Sequence, residues 1–179
     1  YRGALRLRPD FFQAHANLGD ALMALNRPDE AVVEYREALR VNPGLATVHF
    51  NLAAGLVAAR RSDEAMVEYR ETLRLEPSSA DAHLGVGRLL EQAGRQAEAL
   101  DAYATAARLE PGSAPLQINL GHAFYKRGDW QRAAAHFEAA IALAPGSAEA
   151  HNNLGACLER MGRIDEALVQ YRETARLAP

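Results

Sequence analysis

One cysteine, Cys157, is all the chain contains, so an intrachain disulfide framework and a thiolate metal cluster are both excluded. Lysine is equally scarce: Lys126 stands alone among basic residues that are otherwise arginine. Arginine favours bidentate surface pairing but names no ligand. There is no excess of positive charge, since 20 Lys and Arg stand against 23 Asp and Glu for a net charge of -3. Without a net basic face a nucleic-acid partner is not expected. No apolar run approaches the length of a membrane span, and the opening residues do not resemble a signal peptide. The expected setting is therefore cytoplasmic, with no membrane partner. Phosphate loops, nucleophile elbows and HExxH are absent as well. No catalytic residues, no cofactor and no metal are expected, and the chain reads as a non-enzyme.

What the chain has in abundance is repetition. Pro9, Pro43, Pro77, Pro111, Pro145 and Pro179 stand 34 residues apart. The same period carries Ala31, Ala65, Ala99, Ala133 and Ala167, and then Tyr35, Tyr69, Tyr103, Phe137 and Tyr171. A period in this range is the signature of a solenoid, in which each unit buries its apolar face only against its neighbours. The division that follows is 12–45, 46–79, 80–113, 114–147 and 148–179, preceded at 1–11 by the second half of a truncated repeat. Tyr1 to Pro9, YRGALRLRP, aligns with YREALRVNP at 35–43. The chain is accordingly expected to be a fragment of a longer array, opening on a lone helix at 2–7.

Each period predicts two amphipathic helices. In the first repeat Ala14, Leu18, Ala21, Leu22 and Leu25 recur at spacings of three and four. Asn26, Arg27 and Pro28 then interrupt, and Asp29 is placed to cap a second helix through Ala31, Val32, Tyr35, Ala38 and Leu39. Gly94, Gly128 and Gly162 recur at the inner turn, whereas Arg60, Arg61 and Ser62 must make the same joint without glycine. Counting each repeat from Phe12 and its equivalents, place eight is small: Gly19, Ala53, Gly87, Gly121 and Gly155. Glycine inside a helix costs up to about 1 kcal/mol relative to alanine, so its recurrence asks for close helix approach in return.

The small residues at places eight and twenty, the aromatic at twenty-four and the proline at thirty-two resemble the tetratricopeptide repeat. That resemblance implies an all-α fold, an alpha-alpha superhelix of antiparallel helix pairs with a right-handed sense. It also implies a groove lined by the first helices that binds a protein or an extended peptide. Place four departs from the common pattern, holding His15, His49, His83, Gln117 and His151. With Asn17-Leu18-Gly19, Asn51-Leu52-Ala53, Asn119-Leu120-Gly121 and Asn153-Leu154-Gly155, this resembles the repeats of protein O-linked N-acetylglucosamine transferases and their bacterial relatives. Similar repeats occur in bacterial scaffolds with no transferase. The lysines of the chaperone carboxylate clamp are missing from places two and five, where Gln13, Ala16, Thr47 and Phe50 stand.

The place-four histidines lie one repeat apart, about 8 to 10 Å between stacked helices. Zinc ligands sit about 2 Å from their ion, so the row reads as packing histidines, and Cys157 as a small buried thiol. Glu34, Glu37, Glu68 and Glu71 beside Arg36, Arg40, Arg70 and Arg74 read as a solvated face. The binding candidates are Asn17, Asn51, Asn119 and Asn153 at place six, with Gly85 as the gap in the row. A side-chain amide offers the donor and the acceptor that an extended backbone presents back to it. These features predict a non-catalytic scaffold for a protein or peptide, which the resemblance extends to the substrate-recognition array of a larger glycosyltransferase. The alternative is a structural module that self-associates head to tail through its repeat ends.

Overall fold

The computed structural model describes residues 10–177, so the expected half repeat at 1–9, with its lone helix, lies outside the described residues. Ten helices, with no strand among the described residues, follow one another: α1 (Asp10–Ala24), α2 (Pro28–Val41), α3 (Ala46–Ala58), α4 (Ser62–Leu75), α5 (Ala80–Gln92), α6 (Gln96–Leu109), α7 (Ala114–Lys126), α8 (Trp130–Leu143), α9 (Ala148–Arg160) and α10 (Ile164–Leu177). Contacts divide the chain into two compact units, Tyr1–Leu89 and Leu90–Pro179, with the division inside α5.

In the first unit α1 packs on α2, α2 on α3 and α3 on α4. Its core is built from Ala31, Val32, Tyr35 and Ala38 of α2 against Leu52, Ala53 and Leu56 of α3, with Ala65 and Tyr69 of α4 beyond. In the second unit α6 to α10 pack in the same succession. Ala133, Phe137 and Ala140 of α8 there meet Leu154, Cys157 and Leu158 of α9. A fully buried leucine contributes about 1.5–3 kcal/mol.

Each first helix ends in the same way. Asn26, Arg60, Gly94, Gly128 and Gly162 all hold positive φ, from 56° to 76°. The following amide reaches back five residues, as in Arg27 N to Leu22 O at 2.9 Å and Arg61 N to Leu56 O at 2.8 Å. This left-handed cap satisfies carbonyls that the helix end leaves open. Asp29 does not cap α2 as expected. The N-cap is Arg27 with no side-chain bond, proline occupies the first turn, and Asp29 and Glu30 lie just inside it. Asp29 stands one residue past the start of the helix rather than before it, so its carboxylate and that of Glu30 complement the helix dipole instead.

The apolar face expected of the first helix is also corrected. Ala14, Ala21 and Leu25 are exposed, and Leu18 is 48% exposed while its equivalents Leu52, Leu120 and Leu154 are 1%, 5% and 4% exposed. Those three helices have α2, α6 and α8 packed against them; α1 has no preceding second helix among the described residues. Leu22, Ala16 and Gly19 carry its buried side.

Candidate functional site

The place-eight glycines make room for an aromatic ring. A Cβ on Gly19 would lie 2.5 Å from Tyr35 Cε1, one on Gly121 2.7 Å from Phe137 Cε1, and one on Gly155 2.7 Å from Tyr171 Cε1. Close approach is therefore between helix backbone and ring. Repeat two differs from these three, because Ala53 already carries a Cβ at this place. There Tyr69 lies instead against Gly85 of the next helix, its Cε1 and Cε2 each 2.7 Å from where a Cβ would be. Gly85 interrupts the asparagine row for this steric reason.

The expected binding asparagines are each half engaged by the chain itself. In the first unit Asn17 is exposed, and its Oδ1 accepts from Gln13 at 3.2 Å. Asn51 donates its amide to Asp20 Oδ1 at 2.9 Å, and the same oxygen accepts the Tyr35 hydroxyl at 2.7 Å. In the second unit Asn119 donates to the Pro115 carbonyl at 2.7 Å. Asn153 donates to His122 Nε2 at 2.7 Å. Asn17 and Asn51 thus stand on successive first helices of one unit and Asn119 and Asn153 on those of the other, half-buried except for Asn17.

The histidine row is structural, and it corrects the solvated reading of Glu34 and Glu68. His15 Nδ1 lies 2.6 Å from Glu34 Oε2 and His49 Nδ1 2.7 Å from Glu68 Oε2. His151 makes the same link to Gln170 at 2.8 Å. The fourth repeat inverts it, with His136 on the second helix meeting Gln117 at 2.9 Å. His136 stacks on Phe124 at 5.3 Å, and burial lowers its pKa. The other ring nitrogens of His49, His83 and His151 reach the carbonyls of Pro43, Pro77 and Pro145 at 3.1 to 3.2 Å. In repeats two and five each ring therefore ties a first helix to the loop before it and to its partner helix. The exposed faces carry ion pairs three residues apart, such as Arg27–Glu30 and Arg163–Glu166, which are worth little singly. Cys157 is fully buried, and burial pushes its thiol up to about 11. Among the described residues no group of three or more His, Cys, Asp or Glu is placed to hold a metal ion.

One feature of the first-helix surface in the second unit was not legible in the sequence. His122, Tyr125, Lys126, Phe137, Asn153 and Ala156 line a hollow of about 250 Å³. Phe137 forms its floor, with the His122 ring edge-on at 5.4 Å. A larger hollow of about 560 Å³ lies by α8 and α10, among Ile141, Val169 and Arg176, away from the asparagines. In its charged wall Arg176 pairs with Glu173.

The tetratricopeptide repeat model matches residues 50–114 and 118–179, and a second model of the TPR repeat matches 19–56. The chain belongs to the tetratricopeptide repeat family. Solved tetratricopeptide proteins share its fold. MamA (41-end) from Desulfovibrio magneticus RS-1 superposes with a TM-score of 0.85 at 18% identity, over 94% of this chain and 95% of that one. PilF of Pseudomonas aeruginosa gives 0.85 at 22% identity, over 96% and 78%. YrrB, described as a TPR protein with an unusual peptide-binding site, gives 0.78 at 20% identity over 99% and 92%. No curated protein matches the sequence. The fold class is therefore an all-α tetratricopeptide solenoid of antiparallel helix pairs, and none of its described helices is long and apolar enough to cross a membrane.

Proposed function

We propose that this tetratricopeptide chain is a non-catalytic, cytoplasmic scaffold that holds an extended polypeptide on the first-helix surfaces of its repeats, divided at 12–45, 46–79, 80–113, 114–147 and 148–179. Asn17 and Asn51 serve one unit, Asn119 and Asn153 the other. The observation that carries this reading is the half-engaged amide. Asn51, Asn119 and Asn153 each spend an N–H on a neighbour in the chain, which fixes the rotamer and leaves Oδ1 without a bond. A fixed acceptor of this kind meets a backbone N–H with little further loss of side-chain entropy. Each such bond contributes about 0.5–1.5 kcal/mol net, so several must act together. The described peptide-binding site of YrrB supports the reading by analogy of fold.

The test replaces the four asparagines by alanine, singly and together, and measures affinity for peptides selected from a random extended library. Progressive loss with an unchanged melting temperature is expected. A folded quadruple variant that binds as tightly as the parent would remove the asparagines from the mechanism. Service as the substrate-recognition array of a larger glycosyltransferase rests on the His-x-Asn-Leu pattern at places four to seven, and the remainder of the open reading frame tests it.

A second reading, structural self-association through repeat ends, has its own observation. Leu18 is 48% exposed and Leu168 45%, whereas Val32, the equivalent of Leu168, is 1% exposed. Light scattering over a concentration series checks it. A mass that rises with concentration and falls back in Leu168→Ser supports head-to-tail contact, and a constant monomer mass rejects it.

A further inference from the structure

We propose that the hollow on the second unit selects the bound polypeptide by taking one large apolar side chain over Phe137 and Ala156, with an acidic residue beside it at the Lys126 and Arg160 rim. This rests on the peptide-binding reading and names what that surface prefers. The volume, about 250 Å³, lies below the roughly 300–1,000 Å³ of small-molecule sites and suits a single side chain. Its wall is mixed in the way such a subsite needs. The rings of Phe137 and Tyr125 and the methyl of Ala156 supply apolar area, and Asn153 stands at the edge with Oδ1 free to accept a backbone N–H.

The space exists because of particular residues. Ala156 occupies place nine, as Ala54 does in repeat two, where the other repeats carry Asp20, Arg88 and His122, and its small side chain leaves the hollow open. The rim favours an anion. Lys126 lines the hollow and is half-exposed, with Nζ 2.8 Å from Glu91. Arg160 lies over the Trp130 ring at 5.9 Å and reaches the Tyr125 hydroxyl at 3.5 Å. The nearby acids already have donors: Glu91 takes Lys126 and the Tyr103 hydroxyl at 3.0 Å, and Glu159 takes the Tyr171 hydroxyl at 2.8 Å. Burial works against the Glu91 charge, yet those two donors hold its carboxyl below the usual range. A partner carboxylate would find Arg160 and the remaining Lys126 donors. The first unit offers no equivalent, because Asp20 and Met23 stand where His122 and Tyr125 do.

The experiment titrates the isotopically labelled full chain with three short Ser/Gly/Thr peptides that differ only in a central pair: Phe-Asp, Ala-Asp or Phe-Asn. The Phe-Asp peptide should shift amides of α7 and α9 and bind about tenfold tighter than Ala-Asp, as burial of one aromatic side chain allows. Ala156→Leu, at a place that carries larger residues in other repeats, should fill the hollow and abolish the preference for phenylalanine, so that Phe-Asp binds no tighter than Ala-Asp. Lys126→Gln with Arg160→Gln should abolish the preference for Asp over Asn. Asn153→Ala, which removes the acceptor offered to the peptide backbone, should weaken all three peptides together. Equal binding of Phe-Asp and Ala-Asp, or a preference that survives Ala156→Leu, would overturn the selective hollow but leave the scaffold reading standing. Failure of all three peptides to shift any first-helix amide at millimolar concentration would overturn both.

Discussion

The ring of Tyr69 occupies the space that a side chain on Gly85 would need, and it does so because Ala53 has closed the place where the equivalent rings of Tyr35, Phe137 and Tyr171 lie. Two departures from the repeat pattern are thus one event. Gly85→Asn, which restores the asparagine row in sequence, should destabilise the chain by about 1–3 kcal/mol through overpacking. Ala53→Gly opens the other place for Tyr69. Combined with Gly85→Asn it should cost less than the two changes summed, a favourable coupling readable in urea titrations. Strict additivity would mean that the ring cannot exchange places.

Among the described residues Arg60 is the one charged residue held at positive φ, 60°, where three other repeats use glycine. The strain is intrinsic to a side chain in the left-handed region. Arg60→Gly should therefore raise stability by about 0.5–1 kcal/mol, after the entropy glycine adds to the unfolded chain. Thermal unfolding of the variant checks the sign. Asn26→Gly should gain less, since asparagine tolerates φ of 56° more easily.

How much of this was legible depends on range along the chain. The helix pairs follow from local apolar spacing, and the division into repeats from the recurring proline and aromatic. Place four was read as packing histidine, and the structure adds its partners nineteen residues away. Glu34 and Glu68 misled because their flanking arginines look like a solvated face, and only the docked second helix turns the carboxylates toward the histidines. The hollow needed contacts such as Asn153 to His122, thirty-one residues apart, three short of a full period. Asn51 and Asp20 repeat that separation. The available signal was the variation at place nine, the one inner position where acidic, basic, histidine and alanine residues all occur.

The buried thiol gives a pH prediction. Burial raises Cys157 from an ordinary value near 9 to about 11. The folded chain therefore holds this proton more tightly than the unfolded chain, and stability declines as pH rises from about 9 through about 11. Tyr171, pushed up to about 12 by burial and its bond to Glu159, also titrates high. The contrast with Cys157→Ala isolates the thiol: the variant should lose the decline between pH 9 and 11 that the thiol causes. In the native chain at neutral pH the thiol should react with disulfide reagents only at the rate of unfolding, and a fast native reaction would contradict its burial.

Asp20 joins stability to the proposed binding surface. Its Oδ1 accepts both the buried Tyr35 hydroxyl at 2.7 Å and the Asn51 amide at 2.9 Å. Burial first, and then this bond, raises the Tyr35 pKa. Asp20→Ala leaves that hydroxyl without its acceptor and should cost about 1–3 kcal/mol. It also releases Asn51, whose amide would then be free to rotate before meeting a peptide. Asp20→Asn retains an acceptor, so most of the stability should return. If Asn51 acts as a fixed acceptor, Asp20→Ala should weaken peptide affinity several-fold at a temperature where the variant is fully folded, and Asp20→Asn should recover it. Unchanged affinity in a folded Asp20→Ala variant would show that holding Asn51 in place contributes nothing to binding.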